Sequence, residues 1–223
     1  MWKYNIVIIL KGAIIMNIRQ KKLLNYVLAA VMAAMIFVAT YFLKIPITTP
    51  AGPTMLKVSN ILILLAGMLF GGVYGGLAAG IGSALYDLLD PVYMTSAPFT
   101  FAFFFIMAFV CGTISNWGDA KGTSVKRNLI GAVCGGVSYW TLYIAKSIIT
   151  LMIEGSVFEA AVTAVVPKMV TSGINQVAAI IGAMLLVMPL NAALKKYLPK
   201  FSKDNSAKKK EKEKEKEKVN ASV

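Results

Sequence analysis

Residues 69–91, LFGGVYGGLAAGIGSALYDLLDP, carry no charge until they close on two aspartates, Asp87 and Asp90. Glycine at this density suits a soluble helix poorly, because each one is about 1 kcal/mol worse than alanine in a helix interior. In a bilayer the balance changes. Small residues four apart let backbones approach closely, and packing takes the place of the hydrophobic effect between transmembrane helices. Gly67 with Gly71, Gly72 with Gly76, and Gly76 with Gly80 have that spacing. The stretch reads as part of a tightly nested membrane hairpin: residues 60–70 run in, GGVYGG turns, and residues 73–89 return, bringing the two carboxylates to the far interface.

The rest of the chain agrees with a membrane setting. Of its 223 residues 57% are apolar and only 15% charged, with a mean hydropathy of +0.69. A bilayer core of roughly 30 Å takes about 20 apolar residues per helix. Residues 23–43 supply a first span, and residues 99–115, 129–151 and 162–194 a fourth, fifth and sixth. The expected fold is an all-α integral membrane protein, a six-transmembrane-helix bundle, with no room for a large soluble catalytic domain. Arg19, Lys21 and Lys22 precede the first span; Lys121, Lys126 and Arg127 separate the fourth and fifth; Lys195, Lys196 and Lys200 follow the sixth. With six crossings all three sets fall on one side, so the positive-inside bias puts both termini in the cytoplasm. Lys44 and Lys57, on the opposite side, are exceptions to it.

The membrane domain is expected to cover residues 16–200. Residues 1–15 read as an upstream extension or a short surface segment, since MNIRQKKLLNY from Met16 resembles an ordinary cytoplasmic start. Residues 201–223, rich in alternating lysine and glutamate, offer almost nothing to bury and read as a disordered tail, within reach of anionic lipid. The net charge of +13 is spread over connections and tail, a pattern that argues against a nucleic-acid partner. Cys111 and Cys134 sit alone in apolar runs and the chain has no histidine, so neither a metal site nor a cofactor is expected. No ATP-binding or hydrolase motif is present, so the chain is not expected to be an enzyme.

A polar group at membrane depth needs a partner or water, which makes the few present informative. Tyr139, Tyr143 and Lys146 share one face of the fifth span at i, i+4 and i+7; Lys168, Ser172 and Asn175 share one face of the sixth. Both sets lie toward the outer end. They suggest an outward pocket in which rings stack on a flat ligand while lysines and Asn175 bind its oxygens. The alternative is that the lysines snorkel to headgroups or pair with Glu154, Glu159 and Asp87. Asp87 either belongs to the pocket or caps the third helix with Asp90. Tyr86, Tyr93 and Trp140 are weaker candidates, the aromatics of residues 93–105 read as an interfacial belt, and the proline-bearing connection IPITTPAGPTMLK reads as a lid or a plain connector. In the first span Ala29 with Ala33 and Ala30 with Ala34 make two overlapping AxxxA pairs, which serve either internal packing or a partner helix.

The AxxxA strip, the proline-bearing outer loop and the segment NILILLAGMLFGGVYGGLAAGIGSALYDLL together resemble the substrate-binding S components of energy-coupling factor (ECF) vitamin transporters. The likeness runs from about Met16 to Lys200. It implies a subunit of a prokaryotic cell membrane that captures a vitamin at the outer face and works with a transmembrane coupling subunit and two ATPases. The vitamin leans toward riboflavin. Ala29, Ala30, Ala33 and Ala34 would meet the coupling subunit. Ligand contacts are expected from Asn60, Asp87, Tyr139, Tyr143, Lys146, Lys168, Ser172 and Asn175. The alternative function is a stand-alone secondary transporter or facilitator of a small organic solute, which the lack of internal repeats and of a deep ionisable relay disfavours.

Overall fold

A computed structural model describes residues 23–119 and 123–197. The expected segments 1–15 and 201–223 lie outside the described residues. Helix α1 (Leu23–Phe42) leads into a β-hairpin of β1 (Lys44–Thr49) and β2 (Gly52–Lys57), after which come α2 (Ser59–Phe70) and α3 (Gly72–Leu89). A 3-10 turn at Met94–Ser96 introduces α4 (Ala97–Ser115), a second at Trp117–Asp119 follows it, and α5 (Val125–Ile153) and α6 (Phe158–Tyr197) complete the described chain. Residues 25–188 make one compact unit; of the described residues, 23–24 and 189–197 fall outside it.

Four of these helices, α1, α4 with its leading turn, α5 and α6, are each long and apolar enough to cross a membrane. At 1.5 Å per residue the 12 residues of α2 reach only about 18 Å, and glycine dilutes the apolar character of α3. These two lean on their neighbours instead. Gly71 joins them with φ 84°, a left-handed conformation that glycine adopts at no steric penalty. Beside it, a Cβ on Gly112 of α4 would lie 2.6 Å from the Gly67 carbonyl oxygen, and one on Gly82 of α3 would lie 2.5 Å from the Ala33 carbonyl oxygen of α1. The Gly72, Gly76 and Gly80 stripe lies against Phe109, Phe105 and Phe101 of α4, whose rings stack in series at 5.8 and 6.1 Å. The carboxamide of Asn116 donates to the Gly67, Met68 and Gly112 carbonyls, so the orphaned Met68 acceptor at the end of α2 is satisfied without water.

The hairpin departs from the expectation of an irregular loop in an all-α chain. Its three prolines fit a ladder because of where they fall. Pro46 pairs with Met55 and Pro53 with Thr48. The Val58 N–H donates to the Leu43 carbonyl, which makes the even positions of β2 the ones bonded to β1, with the odd ones facing outward. Pro46 and Pro53 thus occupy non-bonded pairs, where a missing N–H breaks nothing. Pro50 sits in the two-residue turn before Gly52 (φ 96°), and the Thr49 hydroxyl closes that turn on the Gly52 carbonyl at 2.6 Å.

The two AxxxA pairs separate. Ala29 and Ala33 are buried, Ala33 against Gly82, while Ala30 and Ala34 are exposed among Val27, Val31 and Val38.

Candidate ligand-binding site

Beneath the hairpin lies a cavity of about 280 Å³, walled by β2, the α3–α4 connection, the start of α4, and facing stretches of α5 and α6. That is near the small end of the range for small-molecule sites, roughly 300–1,000 Å³. One wall is aromatic. Phe104 stacks on Tyr139 at 4.5 Å between centroids and 18° between planes, and Tyr139 on Tyr143 at 5.7 Å and 9°. The i, i+4 spacing on α5 places the two tyrosines one turn apart, and Phe104 of α4 extends the column. Phe99 and Phe103 also line the space, so part of the expected interfacial belt of residues 93–105 reaches the cavity, although Phe99, like Phe101, stays partly exposed.

Charge converges on this space. The Lys57 ammonium lies 4.2 Å from the Phe104 ring centroid, Lys168 5.9 Å from that of Tyr143, and Lys146 donates to the Ser96 hydroxyl at 3.2 Å. Asp87 is buried, with the Thr100 hydroxyl beside it. Glu154 also reaches the lining. Among the described residues neither Lys146 nor Lys168 forms an ion pair; the one ion pair there is Lys44 with Asp90 at 3.1 Å. Burial lowers the Lys57 ammonium from 10.5 to about 8, against the opposing pull of Asp87. Ammonium groups without an ion-pair partner in such a pocket favour a ligand that offers them further hydrogen-bond acceptors.

The rim is tied down separately. Lys44 donates to the Tyr86 hydroxyl and to Asp90, and Tyr86 donates to the same carboxylate. The Tyr86 hydroxyl bond, more than the ammonium of Lys44, holds Asp90 below the ordinary carboxylate range, burial opposing it. Thr54 of β2 is gripped twice, by the Tyr143 hydroxyl at 3.1 Å and, at its carbonyl, by the Tyr93 hydroxyl at 3.3 Å.

Seven of the eight residues expected to touch ligand line the cavity: Asp87, Tyr139, Tyr143, Lys146, Lys168, Ser172 and Asn175. Asn60 does not; it is buried in the first turn of α2, and its carboxamide has no hydrogen-bond partner among the described residues. Four of the seven are already hydrogen-bonded, Tyr143 to Thr54 and Lys146 to Ser96 as described, Ser172 and Asn175 within and between elements. The Ser172 hydroxyl donates to its own helix at the Lys168 carbonyl, 2.7 Å away, and the Asn175 carboxamide is bonded to the backbone of β2. Of the weaker candidates, Tyr93 lines the cavity, Tyr86 serves the rim, and Trp140 ties α5 to α6 through the Met169 carbonyl. Sequence reasoning missed Thr54, Thr100, Phe104 and Lys57. Only Lys57 left a signal, as a lysine on the side the charge bias should empty.

The family model for the ECF-type riboflavin transporter, S component, matches residues 20–194. An uncharacterised protein of the gap 3′ region of Pyrococcus woesei is 34% identical over 122 residues, which cover 55% of this chain and 77% of the relative. Among solved structures, the S component of a bacterial ECF transporter matches with a TM-score of 0.58 at 21% identity, covering 79% of this chain and 99% of that one. At that identity the likeness speaks for the fold.

Proposed function

Given that the chain belongs to the S components of ECF-type riboflavin transporters, we propose that it captures riboflavin in the cavity beneath the hairpin and hands it to an ATP-driven import complex. One observation carries the reading: a stacked aromatic wall, three ammonium groups and a buried carboxylate converge on one cavity. A flat ring system with carbonyl oxygens along one edge and a ring N–H between them matches that set. Rings lie along Phe104, Tyr139 and Tyr143, lysines donate to oxygens, and Asp87 accepts a proton donor.

The six helices are read as six crossings in a prokaryotic cell membrane, with both termini cytoplasmic. Lys126 and Arg127 open α5 at the end opposite the cavity, so the charge bias turns the cavity outward. The chain spans residues 16–200 as one membrane domain in this reading. The sequence carries no P-loop motif, and in this reading uphill transport draws on a transmembrane coupling subunit and two ATPases. The exposed Ala30 and Ala34 face of α1 is the surface offered to the coupling subunit, since small residues there let a partner helix approach closely. Ala33 supports that face from behind by seating α1 against Gly82 of α3, and Ala29 is buried one turn earlier.

The test is to purify the chain, denature it and identify any released small molecule by mass spectrometry. Riboflavin is the expected product. Repeated preparations that release no vitamin, together with no thermal stabilisation by added riboflavin, would sink the proposal.

A further inference from the structure

Outward-facing odd positions leave β2 with a bare edge: the Met55 carbonyl and the Lys57 N–H point away from β1. A two-stranded hairpin with an open edge is marginal on its own. Here that edge is met by a single side chain. The Asn175 amide nitrogen donates to the Met55 carbonyl at 2.8 Å, and its amide oxygen accepts from the Lys57 N–H at 3.1 Å. A carboxamide presents one donor and one acceptor in a plane, as a peptide does, so Asn175 bonds β2 in the way a neighbouring strand would. Aspartate cannot do this, because an ionised carboxylate only accepts. Residue 175 lies on α6, whereas the other ties on this hairpin come from α3, α5 and the α3–α4 connection.

We propose that Asn175 is a positioning residue: it completes the edge of β2 from α6, holds the hairpin closed over the cavity, and thereby sets where Thr54 and Lys57 meet the ligand. This rests on the reading that the cavity holds a vitamin, but the tie itself exists without one. Entry and exit of the ligand require that the tie break, so its strength governs the dissociation rate.

The test uses full-length ligand-free protein in nanodiscs and hydrogen–deuterium exchange resolved to the Lys57 amide. The wild-type amide is expected to exchange at least a hundredfold more slowly than an unprotected one. In Asn175→Ala that protection drops at least tenfold, while the amides of α2 and α4 are unchanged. Asn175→Asp, which keeps the acceptor for Lys57 and loses the donor for Met55, is expected to fall between. A Lys57 amide exchanging near its unprotected rate in the wild type overturns the proposal even if the variants fail to fold. So does equal protection in wild type and Asn175→Ala, the result expected if Asn175 served only to touch ligand. No vitamin enters this assay, so its failure is separable from failure of the riboflavin reading. With riboflavin present, Asn175→Ala is expected to release ligand at least tenfold faster and to bind it faster as well, since entry breaks the same tie.

Discussion

Raising the pH from 7 to 9 should weaken riboflavin binding about tenfold, through Lys57. In the ligand-free protein burial under Phe104 lowers this ammonium from 10.5 to about 8, with Asp87 pulling the other way. A ligand oxygen that accepts from the ammonium restores part of its lost solvation and raises its pKa again. Above pH 8 each binding event must then take up a proton, and affinity falls by up to one decade per pH unit, about 1.4 kcal/mol. Below pH 8 the group is already charged and affinity is flat. The same shift acts on folding with a defined sign. Lysine in the unfolded chain keeps its proton up to about 10.5 while the folded one sheds it near 8, so the unfolded state binds more protons in that window and ligand-free stability rises with pH across it. Other ionisable groups line the same cavity, so the control is Lys57→Met, which should bind more weakly at pH 7 and show a shallower slope than the wild type. Titration of the isolated chain by flavin fluorescence at both pH values decides the matter. Equal affinities within twofold, or an undiminished slope in Lys57→Met, would refute the argument.

Three further outcomes are expected. Lys168→Ala and Lys146→Ala should each weaken riboflavin binding by roughly 10- to 150-fold, the equivalent of a charged hydrogen bond of about 1.5–3 kcal/mol, with the melting temperature little changed; calorimetry on the purified variants measures both. Ala30→Trp should spare vitamin binding and abolish co-purification with the coupling subunit and ATPases, whereas Ala33→Trp should lower the melting temperature itself, because Ala33 faces Gly82 and Ala30 faces outward. Gly112→Ala should destabilise the α2–α4 contact by about 1–3 kcal/mol, since its added carbon would meet backbone at 2.6 Å; thermal unfolding in detergent reads the loss.

The helices were legible because their causes are local. An apolar run bounded by basic, proline-bearing or, between α2 and α3, glycine-rich segments fixes each one, and every expected span lies within a few residues of a helix. Helical spacing also identified which residues of α5 and α6 share a face, so the lysine and tyrosine walls of the cavity were readable one helix at a time. The hairpin was not, because three prolines in fourteen residues look like a loop until the pairing register shows that two of them fall on non-bonded positions. Nor was the division of the AxxxA strip. Ala29 and Ala30 are adjacent in sequence, and only the approach of Gly82 decides which of them turns inward. Phe104 escaped for a similar reason: a phenylalanine-rich run reads as lipid-facing throughout, although Phe99, Phe103 and Phe104 all line the cavity, Phe104 through its stack with Tyr139. Asn175 was legible as a cavity residue but not in its bonding, since the edge it serves belongs to a strand more than a hundred residues earlier.

The central claim is that the vitamin rests under the hairpin, against the Phe104, Tyr139 and Tyr143 wall and within hydrogen-bond reach of Lys146 and Lys168. An experimental structure of the chain with riboflavin added tests it directly. The account predicts the ring system in that cavity with both ammonium groups directed at its oxygens. A flavin bound elsewhere on the protein, or Lys146 and Lys168 turned toward lipid, would contradict it.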